Sequence, residues 1–296
     1  MTITRKLHSK NCNPNIQGKT VKHRSCMTPE VLKKVRKYYN KYNPNNMIKS
    51  YAPSKIWSDL KEKLHQCDNE MCWLDEFRNM KLKSTIKNRL FAPKKPSEWK
   101  SDPNTWLTNF DILKVLNQYE KKYPCFKLFG PSPIDFDDKY FQYGGQCVSN
   151  DICTFELGNM LKKGIHKMGF IFNLSKHREP GSHWVSLFVD TKKGFILYFD
   201  SNGVEAPNEV DVLVNRIVTQ GKNLDQPIDF KYIQNTFSHQ RSNTECGMYS
   251  LYFMITLVNE KINGKNVKKQ KLLDHFLKQR IEDEYVFKRR NIYFNE

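Results

Sequence analysis

The stretch that decides the fold reads Gln240-Arg-Ser-Asn-Thr-Glu-Cys-Gly-Met-Tyr249. An almost continuous apolar run follows Cys246 and Gly247 as far as Val258, and it is too long for an ordinary strand. We therefore predict a buried helix that begins at or beside Cys246 and is capped by the Asn-Thr pair of this stretch. The positive end of such a helix favours a thiolate, and Gly247 leaves room for a carbonyl group to approach the sulfur.

Two upstream segments are predicted to bring a histidine and an aspartate together. Residues 181–190 and 194–203 are short, rich in aromatic and β-branched residues and separated by a turn, which indicates a β-hairpin. His183 opens the first segment and Asp200 closes the second. Because the start of one antiparallel strand lies beside the end of the next, both residues are expected at one edge of the sheet. An imidazole beside a carboxylate supplies the base and the orienting group that a nucleophilic thiol needs.

Each of these residues also has an ordinary structural interpretation when it is taken alone. Most cysteines are packing residues, a lone histidine is usually structural, and an aspartate in a turn is usually solvated. The order His183, Asp200 and Cys246-Gly, each at the end of an element, favours a catalytic set. Among the competing bases, His239 could lie near the site but has no obvious carboxylate partner. The others are expected at the surface: His166, His177 and His275.

Three separated blocks resemble the adenain and ubiquitin-like-protein-processing cysteine peptidases. They are His183-Trp with its following strand, Asp200-Ser, and Gln240 placed six residues before Cys246-Gly. Papain-type enzymes carry their cysteine before the histidine and do not fit this order. The resemblance covers roughly residues 105–296 and leaves the first hundred residues poorly matched.

Within that clan the chain is more similar to the virion-maturation proteases of large DNA viruses, of the African swine fever virus and mimivirus type. The stretch 239–253, the block that starts at Gly181 and the tail 280–285 all resemble theirs. Glu245 stands where many cellular members have aspartate, which also favours the viral branch.

The resemblance implies a role for each position of the set. Cys246 would be the nucleophile, His183 its general base and then general acid, and Asp200 the group that orients His183. Some relatives have asparagine at the Asp200 position, so its hydrogen bond matters more than its charge in this interpretation. The side-chain amide of Gln240 and the backbone N–H of Cys246 would form the oxyanion hole.

Two tryptophans are the predicted substrate-binding residues. By resemblance, Trp184 would roof a narrow tunnel that admits glycine, in keeping with the clan's cleavage after or near Gly-Gly. Trp106 would form the other wall, although an isolated tryptophan is more often a core residue.

The cysteine content does not indicate a disulfide framework. Eight cysteines are irregularly spaced among 296 residues, so we expect reduced thiols. Cys67 and Cys72 are the one close pair, and a zinc site would have to recruit distant residues without metal-like spacing. We predict no metal and no resident cofactor; a DNA or peptide activator rests on analogy with adenain alone.

Positive charge is concentrated in the first third of the chain. Residues 1–100 contain 23 Lys+Arg and 8 Asp+Glu, a balance of +15, and the rest contain 26 and 23, a balance of +3. We therefore divide the chain into a basic, mainly helical N-terminal region, 1–100, with residues 1–25 flexible, and a catalytic domain, 101–296. The basic region could bind nucleic acid or an acidic partner. A lysine- and asparagine-rich composition without a special partner is the alternative.

The predicted fold is α+β, a papain-like-clan core with a small mixed, mostly antiparallel sheet and the nucleophile helix. A loop is expected at 131–145, with a solvated acidic turn at 135–138 that could equally line the cleft. There is no apolar run long enough to cross a bilayer and no signal-peptide h-region at the start, so synthesis in the cytosol is expected. Further predicted helices are 28–39, 56–65, 74–90, 106–123, 154–163, 209–220 and 268–287, and further strands are 167–174 and 230–234.

These features together predict a cysteine endopeptidase that cleaves viral structural or core polyproteins at Gly-Gly-Xaa sites during virion maturation. We expect it in the virion and at assembly sites in the host cytoplasm, without membrane insertion. One alternative is a deubiquitinating or deSUMOylating isopeptidase that acts on host conjugates. The other is a non-catalytic basic scaffold that binds nucleic acid.

Overall fold

The computed structural model describes residues 7–140 and 144–296. Two compact units divide the chain: unit 1 comprises the residues up to Lys95 together with Asn291–Glu296, and unit 2 comprises Pro96–Arg290. The sequence-based division had placed residues 291–296 with the catalytic domain.

Unit 1 is helical, as predicted for the N-terminal region. Thr28 caps the first helix by accepting a hydrogen bond from the backbone of Val31, and Pro29 occupies its first turn. The single helix predicted at 74–90 is wrong, because a 3-10 turn ends at Glu76 and a new helix starts after Asn79, which caps it. The helices are α1 (Pro29–Tyr42), α2 (Pro53–Lys63) and α3 (Met80–Leu90).

Residues 7–25, part of the segment expected to be flexible, make specific contacts in the structure, and residues 1–6 lie outside the described part. Asn13 and Ile16 are each only 3% exposed. Asn13 donates from its backbone and its side chain to the carbonyl oxygens of Leu90 and Asn88. These bonds hold the segment against the end of α3.

The last residues of the chain complete unit 1. The side chain of Asn295 accepts a hydrogen bond from the backbone of Asn11 at 2.7 Å and donates to the carbonyl oxygen of Ala92 at 3.0 Å. Its backbone N–H donates to Pro93. A single buried asparagine thus joins three backbone segments that are far apart in sequence.

Six of the eight cysteines form disulfides, so the prediction of reduced thiols is wrong for them. Their Cα–Cα distances are 5.2, 5.5 and 6.3 Å, within the range that a disulfide spans. The two cysteines of each pair are close in sequence. The irregular spacing of the eight cysteines along the chain gave no sign of this pairing. The pairs are Cys12–Cys26, Cys67–Cys72 and Cys147–Cys153, and Cys125 and Cys246 carry free thiols. Among the described residues, no group of His, Cys, Asp and Glu is arranged to hold a metal ion.

A five-stranded sheet forms the centre of unit 2, in the order β1-β4-β5-β6-β7. The outer pairs are parallel and the inner pairs are antiparallel. With two small two-stranded sheets, four of the six strand pairings in the described residues are antiparallel, which confirms a mixed, mostly antiparallel arrangement. The strands are β1 (Phe126–Pro133), β2 (Lys139–Tyr140), β3 (Gln146–Cys147), β4 (Lys167–Asn173), β5 (Trp184–Asp190), β6 (Phe195–Phe199), β7 (Lys231–Gln234), β8 (Lys261–Ile262) and β9 (Lys265–Asn266).

Helices cover both faces of this sheet. The apolar side of α7 packs on Leu187 and Ile196, whereas α8 lies on the other face, where Met254 approaches Gly169 so closely that a side chain there would collide. The helices of unit 2 are α4 (Asn109–Lys122), α5 (Asn150–Cys153), α6 (Leu157–Lys162), α7 (Asn208–Lys222), α8 (Cys246–Asn259), α9 (Lys269–Leu277) and α10 (Asp283–Tyr293). No helix in the described residues is long and apolar enough to span a membrane.

The region predicted as a loop at 131–145 differs from that expectation. Strand β1 continues as far as Pro133, because its register with β4 resumes at Ser132 after an irregularity. Asp135 is 4% exposed and not solvated, since it accepts hydrogen bonds from the ring and backbone nitrogens of His177. Residues 141–143 of this predicted loop lie outside the described part.

Candidate active site

Helix α8 begins at Cys246, as predicted, and buries every residue as far as Val258. Its N-cap position is Glu245, whose side chain makes no capping bond, so the predicted Asn-Thr cap is wrong. The physical reason is that Glu245 pairs instead with Arg290, and both side chains are almost fully buried. Cys246 itself is 2% exposed and carries a free thiol at the positive end of the helix.

The hairpin of β5 and β6 brings His183 to Asp200, as predicted. Ser186 pairs with Phe199 at this end of the antiparallel ladder, which leaves the residues just outside it side by side. His183 Nε2 lies 2.6 Å from Asp200 Oδ1, and the carboxylate also accepts a hydrogen bond from the backbone of Asn202 at 2.8 Å. Both partners contact the same carboxylate oxygen, Oδ1.

A buried asparagine fixes the backbone of Asp200. Asn235, fully buried at the end of β7, accepts from the backbone N–H of Asp200 at 2.8 Å and donates to its carbonyl oxygen at 3.0 Å. It thereby replaces the backbone partner that a neighbouring strand would provide. Gly203 closes the same turn with a φ of +76°, and a side chain there would collide with the backbone at Phe237.

The ring of His183 also interacts with Cys246, which contributes to its pKa. Because Nε2 faces Asp200, the second ring nitrogen, Nδ1, is the one available to the sulfur. Burial lowers the pKa of His183, but its hydrogen bonds and charge interactions with Asp200 and Cys246 outweigh burial and raise the pKa to about 9. The arrangement therefore favours an imidazolium at neutral pH and can return a proton to a leaving group.

Gln240 lies in the loop that follows β7 and is itself buried, at 6% exposure. Its side-chain Oε1 accepts a hydrogen bond from Ser201 Oγ at 2.8 Å, and its Nε2 donates to the carbonyl oxygen of Ser242 at 2.5 Å. An amide nitrogen carries two hydrogens, so one such bond leaves it a second to donate.

The two predicted tryptophans line one cavity of about 600 Å³. Trp184 directs its indole N–H to the carbonyl oxygen of Leu107 at 3.0 Å. Trp106, predicted as either a cleft wall or a core residue, is 41% exposed and lines the cavity. Gly247 suits this packing, since a Cβ atom there would lie 3.0 Å from Leu107 and 3.4 Å from Trp184, a tight contact.

Helix α10 and the segment before it contribute residues to the site region that were not predicted to act there. Asp283 accepts hydrogen bonds from the backbones of Arg241 and Ser242 and from the hydroxyl of Tyr249. Arg280 donates to the carbonyl oxygen of His239. The tail motif 280–285 was singled out by resemblance, but no local pattern indicates that it holds the loop before α8.

The competing histidines have other partners. His239 is fully buried. Its Nδ1 accepts a hydrogen bond from the backbone N–H of Ile281, and its Nε2 lies 2.9 Å from the carbonyl oxygen of Phe276. It is therefore a structural histidine. The surface position predicted for His275 is wrong: burial lowers its pKa to about 4, and its ring lies 2.8 Å from the hydroxyl of Tyr252. Two other predicted surface histidines are His166, which is half-buried, and His177, which binds Asp135.

Comparisons with known proteins find cysteine proteases among the relatives of this chain. Residues 170–292 match the Ulp1 protease family, C-terminal catalytic domain. A putative thiol protease of Acanthamoeba polyphaga mimivirus is 29% identical over 266 residues, which cover 84% of each protein. A cysteine protease of African swine fever virus is 26% identical over 243 residues, 77% of this chain and 83% of the relative.

The fold is also that of a solved relative. The crystal structure of the African swine fever virus protease superposes with a TM-score of 0.63 at 22% identity and covers 98% of this chain and 97% of that one. The named relatives and the match of residues 170–292 identify the chain as a cysteine peptidase that resembles the catalytic domain of the Ulp1 protease family over those residues.

Proposed function

We propose that the chain is an endopeptidase that cleaves viral structural polyproteins at Gly-Gly-Xaa sites, with Cys246 as its nucleophile. The sulfur attacks the scissile carbonyl carbon and forms a thioester, while His183 gives its proton to the departing amine. Water then attacks the thioester with His183 as the base, and the acid product and the thiol are released. Asp200 holds the imidazole in the orientation that both steps need.

One observation carries this proposal. The His183–Asp200 bond of 2.6 Å and the interaction of His183 with Cys246 bring three elements of unit 2 together at the start of α8. A structural histidine has no need of a free thiol and a buried carboxylate at opposite ring nitrogens. The geometry matches the order nucleophile, base, orienting group.

The oxyanion would be stabilised by two donors, the backbone N–H of Cys246 and the second hydrogen of the Gln240 amide. The first N–H groups of α8 have no partner within the helix and point out of its N-terminus. Preorganised donors of this kind typically contribute about two to three orders of magnitude to the rate.

A preference for glycine is supported by the cavity that Trp184 and Trp106 line. Leu107 also lines it and lies close to Gly247, so bulky substrate side chains in this cavity would meet indole rings near the start of α8. A substrate chain with consecutive glycines would avoid these contacts. The relatives in African swine fever virus and mimivirus are named as thiol and cysteine proteases, which supports a viral protease, and the polyprotein substrate and virion maturation are part of this proposal.

An isopeptidase that acts on ubiquitin-like conjugates is the second candidate. The matched family is named for the Ulp1 protease, and the relative from another African swine fever virus isolate is named a SUMO-1 cysteine protease. Ubiquitin-like proteins that end in Gly-Gly would fit the same cleft. Hydrolysis of fluorogenic ubiquitin and SUMO C-terminal conjugates distinguishes the two candidates.

The test is cleavage of a peptide library with the pattern Gly-Gly-Xaa by the wild-type chain and by Cys246→Ala. We expect cleavage by the wild type alone, after the second glycine. Cys125→Ala is the matched control, because Cys125 is the other free cysteine among the described residues. Equal cleavage by wild type and Cys246→Ala would refute the proposed nucleophile, and cleavage restricted to ubiquitin-like conjugates would select the second candidate.

A further inference from the structure

Ser201 lies between two parts of the proposed site. It directly follows Asp200, is 1% exposed, and its hydroxyl lies 2.8 Å from the side-chain Oε1 of Gln240. Its carbonyl oxygen accepts hydrogen bonds from the backbones of His239 at 2.9 Å and Gln240 at 2.8 Å. Backbone and side chain of one serine therefore both hold Gln240.

The partners of Gln240 determine which way its amide group points. The carbonyl oxygen of Ser242 can only accept, so the group that faces it at 2.5 Å must be Nε2. Oε1 then faces Ser201, whose hydroxyl must act as the donor. In the flipped orientation an amide oxygen would face a carbonyl oxygen, which is repulsive in a buried place.

We infer that Ser201 is a positioning residue for the oxyanion-hole donor Gln240, an inference that rests on the proposed function. The Asp200-Ser201 pair would then orient two groups at once: the carboxylate orients the imidazole of His183, and the hydroxyl orients the amide of Gln240. Asn235 fixes the backbone of this pair, so one rigid turn aligns the base and the oxyanion donor relative to each other.

Removing this hydroxyl would leave Oε1 of Gln240 buried without its donor. The amide would lose its orientation, and its second hydrogen would spend less time aimed at the oxyanion. Because the oxyanion exists only after the sulfur has attacked, the loss should appear in kcat and not in KM. The reactivity of Cys246 toward an alkylating agent should not change, because alkylation passes through no oxyanion.

The experiment is a double-mutant cycle on the Gly-Gly-Xaa peptide that the wild type cleaves fastest, with wild type, Ser201→Ala, Gln240→Ala and the double variant. We expect Ser201→Ala to lower kcat on the order of ten-fold with KM within about two-fold, and to cause no further loss once Gln240 is alanine. The rate of Cys246 alkylation by iodoacetamide should equal that of the wild type.

Ser186→Ala is the matched control, because Ser186 is a fully buried serine on β5 whose hydroxyl makes no hydrogen bond within the described residues. It should keep wild-type kcat. The inference is overturned if Ser201→Ala costs the same with and without Gln240, or if it also slows alkylation. Equal cleavage of the peptides by the wild type and Cys246→Ala would instead contradict the proposed function itself. The two negative results are therefore distinguishable.

Discussion

Two histidine–carboxylate pairs lie in unit 2, and by distance alone they are identical. His183 binds Asp200 and His177 binds Asp135, with a nitrogen-to-oxygen distance of 2.6 Å in each pair. Both carboxylates are buried, Asp200 at 1% and Asp135 at 4% exposure.

Their surroundings differ in the group on the other side of the imidazole. His183 also interacts with Cys246 at the start of α8, whereas Asp135 accepts from both the ring and the backbone of His177 and so joins one loop to another. A histidine–carboxylate pair is therefore a common structural device. It becomes a candidate catalytic pair here because a helix presents a free thiol to its second nitrogen.

The largest expected difference is between the two histidines. His183→Ala should lower kcat/KM by at least about 10³-fold, because the nucleophile loses its base and its proton donor. His177→Ala should lower kcat less than about five-fold and act mainly on stability, since it leaves the buried carboxylate of Asp135 without this partner. Peptide cleavage and urea unfolding of both variants measure this contrast. A loss of activity in His177→Ala as large as that in His183→Ala would remove the distinction.

Gln240→Ala is expected to have the next largest effect. It removes one oxyanion donor, so kcat should fall by about 10²-fold with KM little changed. Gln220→Ala is the matched control: this glutamine accepts from Leu157 and donates to Phe155, away from the thiol. It should lower the free energy of unfolding and leave kcat nearly unchanged. An unchanged kcat in Gln240→Ala would argue against an oxyanion role.

Asp200→Asn should be milder, about ten-fold in kcat/KM, because the amide oxygen can still accept from the ring of His183. The raised pKa of His183, about 9, means that the imidazolium is lost as pH rises through that value. Without the carboxylate charge this pKa falls, so the alkaline limb of kcat/KM should move to lower pH. Asp135→Asn should leave the alkaline limb of the pH profile of kcat/KM at the wild-type pH. An alkaline limb at the wild-type pH in Asp200→Asn would contradict this account.

The same pKa shift links folding to pH. Because the pKa of His183 lies above its ordinary value of 6.5, its contribution to stability is fully present below that pH and is lost as pH rises through about 9. Urea unfolding at pH 6 and pH 10 should show a smaller pH-dependent loss of stability in His183→Ala than in the wild type.

Gly247→Ala should have the smallest effect of the series. The added methyl group would press on Leu107 and Trp184, which line the cleft, so we expect a rise in KM of about three- to ten-fold. Gly158→Ala is the control, because a methyl group there meets Leu224 at an ordinary 3.7 Å. Equal KM values for the wild type and Gly247→Ala would show that this wall does not limit substrate entry.

The positions of Cys246, His183 and Asp200 could be predicted because each depends on one local rule. An apolar run places the start of α8, and an antiparallel turn places His183 beside Asp200. Such rules act over a few residues and survive in a single sequence.

The contacts that hold these residues depend on chain segments far apart in sequence. Glu245 lies at the N-cap but pairs with Arg290, and Asp283 holds the loop before α8 from the start of α10. The carboxylate of Asp135 could not be distinguished from a solvated one, because its partner His177 is 42 residues away. Pairing choices of this kind are made by tertiary packing.

The central claim is that His183, and not His177, activates Cys246. The most direct measurement is the rate of iodoacetamide alkylation at Cys246 at pH 7, followed by peptide mass mapping to separate it from Cys125. The account predicts that His183→Ala slows this rate by about ten-fold or more, while His177→Ala leaves it at the wild-type value. Equal rates in the wild type and His183→Ala, or slowing by His177→Ala alone, would contradict it.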